Sequence, residues 1–166
     1  MQLTGPNGTS FPVANIDSTV FTHLICAFAD LDPQTNQLTV CSSNIARYSS
    51  FTETVQRKNP TVKTLLSLGG SAANPSTLAL MASQTNSRKS FIHSSISLAR
   101  SYNFHGLDLD WEFPSSSTEM INLGTLLTEW QAAIIAESQT SGKQPLILTA
   151  AVYYSSTYRS LRYSNS

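Results

Sequence analysis

The 166-residue sequence has few charged residues and no long hydrophobic run. Only 12% of its residues are charged, and ten Lys and Arg balance ten Asp and Glu, which gives a formal net charge of zero. Without a basic excess, the chain has no electrostatic attraction to phosphate backbones or to anionic lipid. No apolar run approaches the roughly 18 residues needed to cross a bilayer. We therefore expect no nucleic-acid partner and no membrane span, and the sequence indicates no protein partner.

Cysteine is nearly absent too. Cys26 and Cys41 are the only two, which is too few for a disulfide framework or a four-ligand metal site, and we expect two packed or reduced thiols and no metal. Residues 1–10 lack the positively charged start and the apolar core of about 7 or more residues that a signal peptide needs. No export signal is therefore expected in this sequence.

Four short apolar segments bounded by polar or turn residues predict buried strands. They recur about every 40 residues, with helical patterns between them, which is the alternation of βα units feeding a parallel sheet. The predicted strands are Thr22 to Ala29, Val62 to Leu68, Gly106 to Phe113 and Leu146 to Tyr153.

Three intervening segments predict helices. Apolar residues form one stripe over residues 87–101, and a less regular pattern over residues 40–58 predicts a helix ending before Asn59-Pro60. Ser116 and Glu119 have the spacing of a capping box, and Gly142 follows as the expected end of the third helix.

These units predict an incomplete barrel. A closed (β/α)8 barrel needs eight βα units and roughly 250 residues, whereas this chain offers four. We therefore expect one α/β domain over residues 1–166, a partial TIM barrel whose open sheet edges favour association or aggregation.

Three acidic residues alternate with apolar ones in the third predicted strand. Because side chains alternate between the two faces of a strand, Asp108, Asp110 and Glu112 should share one side, with their Cβ atoms about 6.6 Å apart. Glu112 would lie nearest the C-terminal mouth of a barrel, where active sites occur. Crowded carboxylates raise one another's pKa, so at least one should hold a proton near neutral pH, and we assign that general acid to Glu112. The alternatives are an exposed edge strand or ligands of a hard cation.

Two motifs in this order resemble one enzyme family. Asp108-x-Asp110-x-Glu112, after Gly106 and before an aromatic residue and a proline, resembles the D-G-x-D-x-D-x-E signature of family 18 glycoside hydrolases, the chitinases. Ser67-Leu68-Gly69-Gly70 resembles the S-x-G-G motif of that family. The sequence around both motifs is similar to that of plant class V chitinases, and the resemblance covers roughly residues 11 to 158.

The resemblance implies a fold, a reaction and a substrate. The four units resemble barrel strands 2 to 5, with strands 6 to 8 missing, and the implied substrate and partner is chitin or chito-oligosaccharide. Glu112 would protonate the glycosidic oxygen, Asp110 would orient the N-acetyl group, and Asp108 would support Asp110. The acetamido oxygen of the substrate would attack the anomeric carbon, with retention and without any cofactor.

The resemblance also implies supporting residues and a location. Ser67 would hydrogen-bond to Asp108, and Gly69 and Gly70 would let the backbone turn close to the sugar, although a simple strand-ending turn explains the glycines equally well. An extracellular or vacuolar location is implied. Aromatic side chains are candidates for sugar contact, with core packing as the alternative: Phe28, Trp111 and Tyr153.

The sequence departs from the family pattern at three places. His105 stands where the signature has its first aspartate, and we expect a structural role for it. The M-x-Y-D motif of the family's sixth strand and the tyrosine of its first strand have no counterpart. We therefore expect weak or no hydrolysis by the isolated chain. The alternatives are a chitin-binding or lectin-like protein and a truncated product that does not fold.

Overall fold

The computed structural model describes residues 11–155 and the backbone of residues 157–158 and 161–162. Four strands alternate with helices in chain order, and three 3₁₀ turns lie at 13–15, 18–20 and 42–44. The elements are β1 (His23–Leu31), β2 (Leu38–Thr39), α1 (Ile45–Gln56), β3 (Lys63–Gly69), α2 (Pro75–Ser83), α3 (Thr85–Ser101), β4 (Gly106–Asp110), α4 (Ser117–Ser141), β5 (Ile147–Ala150), β6 (Thr157–Tyr158) and β7 (Leu161–Arg162).

The main sheet is half of a barrel wall. It has five strands in the order β2-β1-β3-β4-β5, with β6 and β7 forming a separate hairpin. All pairings between β1, β3, β4 and β5 are parallel, and only β2 runs antiparallel to its neighbour. The predicted partial (β/α)8 barrel with four parallel strands is therefore confirmed.

The parallel strands β1, β3, β4 and β5 turn one face toward the helices. The core contains Leu66 and Leu68 of β3 and Leu107 and Leu109 of β4, together with apolar residues of all four helices. A parallel sheet covered by helices needs this apolar face, which explains why the strands appear as apolar runs in the sequence.

The helix ends follow the expected capping. Ser116 accepts a hydrogen bond from the Glu119 amide at 3.1 Å, and Gly142 ends α4 in the left-handed region at φ +69°. Glu119 does not complete the predicted box at Ser116, because its carboxylate accepts from the Ser115 amide at 2.6 Å instead. The N-cap is thus at the predicted residue, but the return bond of the box goes to the amide one residue before it.

Two strands are shorter than predicted. β4 ends at Asp110 rather than at residue 113, and β5 ends at Ala150 rather than at residue 153. Parallel strands end where their neighbours end, since the ladder of hydrogen bonds stops there: Gly69 of β3 is the last residue paired with β4. Beyond β4 the apolar run continues because Trp111 and Pro114 are buried, whereas Val152 beyond β5 is 59% exposed.

Helix α2 was not predicted. It begins after Asn74, whose side chain accepts from the Ser76 amide at 2.9 Å, with Pro75 in the first turn, and it buries Leu78 and Met81. The asparagine cap followed by proline is a recognisable start signal. Within the described part of the chain, no helix has the length and apolarity that crossing a membrane requires.

Candidate active site

Asp108 is anchored on the inner face of the half-barrel by two hydroxyl groups. In the register of the sheet, Ser67 of β3, Asp108 of β4 and Thr149 of β5 stand side by side. Ser67 Oγ donates to Asp108 Oδ2 at 2.7 Å, and Thr149 Oγ1 donates to Asp108 Oδ1 at 2.6 Å. The hydrogen bond expected from Ser67 is therefore present, and each oxygen of a carboxylate that is only 8% exposed has a donor.

Asp110 lies on the same face, one full strand repeat beyond Asp108. It is half-buried at the last residue of β4. Burial raises the pKa of Asp110 above its ordinary value of 3.8, and the negative charges of Glu112 and Asp108 raise it further. The expected crowding of carboxylates is thus present, and it acts on the middle acid of the three.

Glu112 lies beyond the end of β4 and is exposed. It lines a cavity of about 440 Å³ together with Phe113 and Ser115 of the loop before α4, Glu119 of the first turn of α4, and residues of the first turns of α2. Its charge is near enough to act on Asp110. The position combines access for a large ligand with a neighbouring pair of partly buried acids, which is what a proton donor to a bound sugar needs.

The two glycines after β3 bring the backbone against Asp110. Gly69 and Gly70 have φ values of +106° and +82°, and the Gly70 amide donates to the Asp110 carbonyl at 2.8 Å. A Cβ at Gly69 would lie 2.2 Å from that carbonyl oxygen, and one at Gly70 would lie 2.7 Å from the Phe28 ring. Only glycine fits this turn, and the same two glycines bring the backbone of the turn close to the acid site.

The three candidate aromatic residues occupy different environments. Trp111 is 1% exposed and belongs to the core, because it continues the apolar face of β4; it does not contact sugar, and core packing is the correct alternative. Phe28 is half-buried with its ring over Gly70. Tyr153 packs edge-on against Phe113, with ring centroids 5.6 Å apart, beside Glu112.

His105 belongs to a polar cluster at the opposite end of β4. The Thr64 amide donates to His105 Nδ1 at 3.2 Å, and Gln56 Nε2 lies 3.3 Å from His105 Nε2. Burial, followed by the charge of Lys63, lowers the pKa of His105. The cluster joins α1, β3 and β4, which is the structural role expected for this histidine.

Among residues 11–155, no group of three or more His, Cys, Asp or Glu side chains could hold a metal ion. Cys26 is buried and Cys41 is exposed, and both are free thiols. Burial raises the pKa of Cys26 to about 11, so this thiol is inert.

Sequence reasoning missed Thr149. The alternation of Ile147 and Thr149 with Leu148 and Ala150 along β5 could have placed it on the acid-bearing face, but its pairing partner depends on the register between β4 and β5. Only the folded sheet shows that it stands opposite Asp108.

A family profile and several known proteins match most of this chain. The profile described as "Glycosyl hydrolases family 18" matches residues 4–164. A class V chitinase from Arabidopsis thaliana is 63% identical over 93% of this chain and 41% of its own length. The structure of a mutant class V chitinase from Nicotiana tobaccum in complex with NAG4 is 57% identical with a TM-score of 0.89, over 92% of this chain and 44% of that one.

A chitinase-like agglutinin from Robinia pseudoacacia is similar as well. Its structure is 58% identical with a TM-score of 0.84, and the match covers 86% of this chain and 43% of that one. The chain thus spans about two fifths of the length of these relatives.

Proposed function

Because the chain belongs to glycoside hydrolase family 18, we propose that it carries the acid-bearing half of a chitinase active site. The reaction is hydrolysis of β-1,4 linkages between N-acetylglucosamine units in chitin or chito-oligosaccharides. The observation that supports this proposal is the row of three acids along one face, Asp108, Asp110 and Glu112. Asp108 is buried and held by two hydroxyl donors, and Glu112 is exposed and lines a cavity.

Each acid has the environment that its role requires. Glu112 reaches solvent and a cavity, and it protonates the oxygen of the leaving sugar. Asp110 is half-buried, with a raised pKa, so it takes up a proton readily and holds the N-acetyl group in place. Asp108, held by Ser67 and Thr149, supports Asp110 from below. The acetamido oxygen of the substrate then attacks the anomeric carbon, and the product retains its configuration.

Aromatic residues at the rim of the site contribute to binding of the substrate. The Tyr153 and Phe113 rings offer apolar faces near Glu112, and Phe28 lies over the Gly70 turn. Sugar rings stack on such surfaces because their C–H faces are apolar. We assign Phe28 and Tyr153 to substrate contact, and Ser67, Gly69 and Gly70 to support of the acids.

The test is hydrolysis of chitohexaose by the 166-residue chain and by Glu112→Gln. We expect slow release of reducing ends, with the β-anomer as first product by NMR, and a loss of at least about 100-fold in the variant, since general acid catalysis contributes 10²–10⁴-fold. Glu53→Gln is the matched control, because Glu53 lies on the exposed face of α1. Hydrolysis that survives Glu112→Gln would refute the assignment.

A lectin-like function is the second candidate, supported by the similarity to the Robinia pseudoacacia agglutinin. Calorimetry with chitotetraose separates the two candidates. Binding without release of reducing ends by the unmodified chain would favour the lectin, whereas hydrolysis lost with Glu112→Gln favours the chitinase.

Family membership also supports secretion or a vacuolar location, and with it a defensive role against chitin-bearing organisms. Fractionation of the tissue that produces the protein tests this location, and recovery from the cytosol alone would contradict it.

A further inference from the structure

Strand β1 has an irregularity at the residues that lead into the site. Its pairing with β3 is regular up to Cys26 and resumes at Ala29, with a shift in register between them. Two residues of β1, Ala27 and Phe28, therefore stand opposite a single residue of β3. A bulge of this kind interrupts the ladder of hydrogen bonds, so backbone groups within it need partners from outside the strand pair.

A tyrosine of helix α1 supplies such a partner. Tyr48 Oη donates to the Phe28 carbonyl oxygen at 2.6 Å. The tyrosine is completely buried, and burial raises the pKa of its hydroxyl above the ordinary value of 10.0, so the group remains protonated and able to donate. The bond joins the helix layer to the bulge, on the strand that bears Phe28.

The packing of Tyr48 requires its ring but not its hydroxyl. The ring meets those of Tyr102 and Phe104 edge-on, with centroids 6.4 Å apart in each case. A phenylalanine would make the same contacts. The hydroxyl also interacts with Arg47 of the same helix, whereas its bond to Phe28 reaches a different element. The hydroxyl therefore serves to link α1 to β1.

Phe28 in turn covers the turn beside the acids. Its ring lies over Gly70, so closely that a Cβ at that glycine would be 2.7 Å from a ring atom. The Gly70 amide donates to the Asp110 carbonyl at 2.8 Å. A continuous set of contacts thus runs from Tyr48 through Phe28 and Gly70 to the backbone of Asp110.

We propose that Tyr48 is a positioning residue for substrate binding: its hydroxyl holds the bulge of β1, so that the Phe28 ring stays fixed over the Gly70 turn. The inference rests on the proposed function, because it concerns the contact between Phe28 and chito-oligosaccharide. A ring that is already held in place loses little conformational freedom when a sugar stacks on it. Tyr48 itself is buried and acts only through Phe28.

The first test is calorimetry with chitotetraose, using Glu112→Gln as the parent so that no hydrolysis intervenes. Adding Tyr48→Phe should raise the Kd about 2- to 10-fold, since that range corresponds to the net contribution of one hydrogen bond. Tyr102→Phe is the matched control, because it makes the same change in the same aromatic cluster, and we expect the parent's Kd. An unchanged Kd in Tyr48→Phe, or an equal rise in both variants, would overturn the proposal.

A double-mutant cycle separates positioning from a general loss of stability. Phe28→Ala removes the ring, so Tyr48→Phe should then have no further effect on the Kd. If the two losses of affinity add up instead, Tyr48 does not act through Phe28 and the proposal is wrong.

The second test is NMR of the 166-residue chain without ligand. We expect nuclear Overhauser effects between the Phe28 ring and the Gly70 α protons in the unmodified chain and in Tyr102→Phe, and their loss in Tyr48→Phe. Unchanged effects in Tyr48→Phe would contradict the proposal.

Near-ultraviolet circular dichroism checks that Tyr48→Phe folds, and an unfolded variant would show that the residue is only structural and that the proposal is wrong. The NMR comparison requires neither binding nor hydrolysis. A chain that binds no chitotetraose would therefore remove the proposed function, while the NMR comparison would still decide whether Tyr48 holds the ring.

Discussion

At the scale of single residues, the three acids of the cluster differ in how far they are buried. Asp108 is almost fully covered and bonded on both oxygens, while Glu112 is exposed beyond the strand end. Asp110 lies between them and bears the electrostatic cost of both neighbours. A site of this kind reduces stability because each partly buried charge is less well solvated than in the unfolded chain.

Asp110 should therefore make stability depend on pH. Its folded pKa is raised, so the folded state binds more protons than the unfolded state, and the contribution of Asp110 to the free energy of unfolding falls as pH rises through the window that opens at 3.8. We expect Asp110→Asn to raise the Tm near pH 7, with the gain disappearing as pH falls below that window. Thermal unfolding across pH measures it, and a Tm lowered at neutral pH would contradict the expectation.

Gly69 should be irreplaceable because the backbone of Asp110 occupies the space of a side chain. A Cβ there would lie 2.2 Å from the Asp110 carbonyl oxygen, whereas one at Gly142 would meet nothing within 4 Å. Both glycines have positive φ, so Gly142→Ala should cost about 1–2 kcal/mol from backbone strain alone. Gly69→Ala should cost at least about 1 kcal/mol more because of the overlap. Denaturant unfolding measures both, and equal losses would refute the argument.

At the scale of elements, the long helices are tied together by ion pairs as well as by packing. Arg88 of α3 donates to both carboxylate oxygens of Glu129 on α4 at 2.8 Å and to the Ala82 carbonyl of α2 at 2.9 Å. A guanidinium in this position joins three helices with its rigid fork of donors. The same pair lowers the pKa of Glu129, chiefly through the hydrogen bond from Arg88.

Arg88→Met should destabilise the protein by about 2 kcal/mol, because it leaves Glu129 and the Ala82 carbonyl without their donors in a partly buried site. Arg57→Met is the control: Arg57 pairs with Glu53 on the solvent-exposed face of α1, with both side chains about 70% exposed. Its cost should stay below about 0.5 kcal/mol. Denaturant unfolding measures the loss in free energy of unfolding for each variant. A loss for Arg88→Met no larger than that for Arg57→Met would contradict the role given to the buried pair.

At the scale of the whole molecule, the sheet is curved but not closed. Among the described strands, none pairs with the outer side of β5, and β2 covers β1 only at Asp30 and Leu31. The uncovered part of β1 includes Ile25, which is 54% exposed. Unpaired backbone groups beside an exposed apolar side chain promote association between chains.

The 166-residue chain should therefore self-associate as its concentration rises. A lysine on an edge strand opposes such pairing, since each new contact would bury its charge. We expect Ile25→Lys to shift the chain toward the monomer in size-exclusion chromatography with light scattering. Ile121→Lys is the matched control, because Ile121 is 69% exposed on α4, away from the sheet edges. An equal effect of the two lysines would show that association does not use the edge.

The sequence by itself determined where the four parallel strands and three of the four helices lie and which face of β4 carries the acids, because these follow from local periodicity and capping. The alternation of Asp108 and Asp110 with leucines suffices for the latter. Helix α2 was overlooked although its Asn-Pro start is visible. The length of β4, the burial that raises the pKa of Asp110 and the Thr149 contact were decided only by the tertiary structure. Strand register and neighbouring charges come from segments about 40 residues apart, and no local pattern records which of them meet.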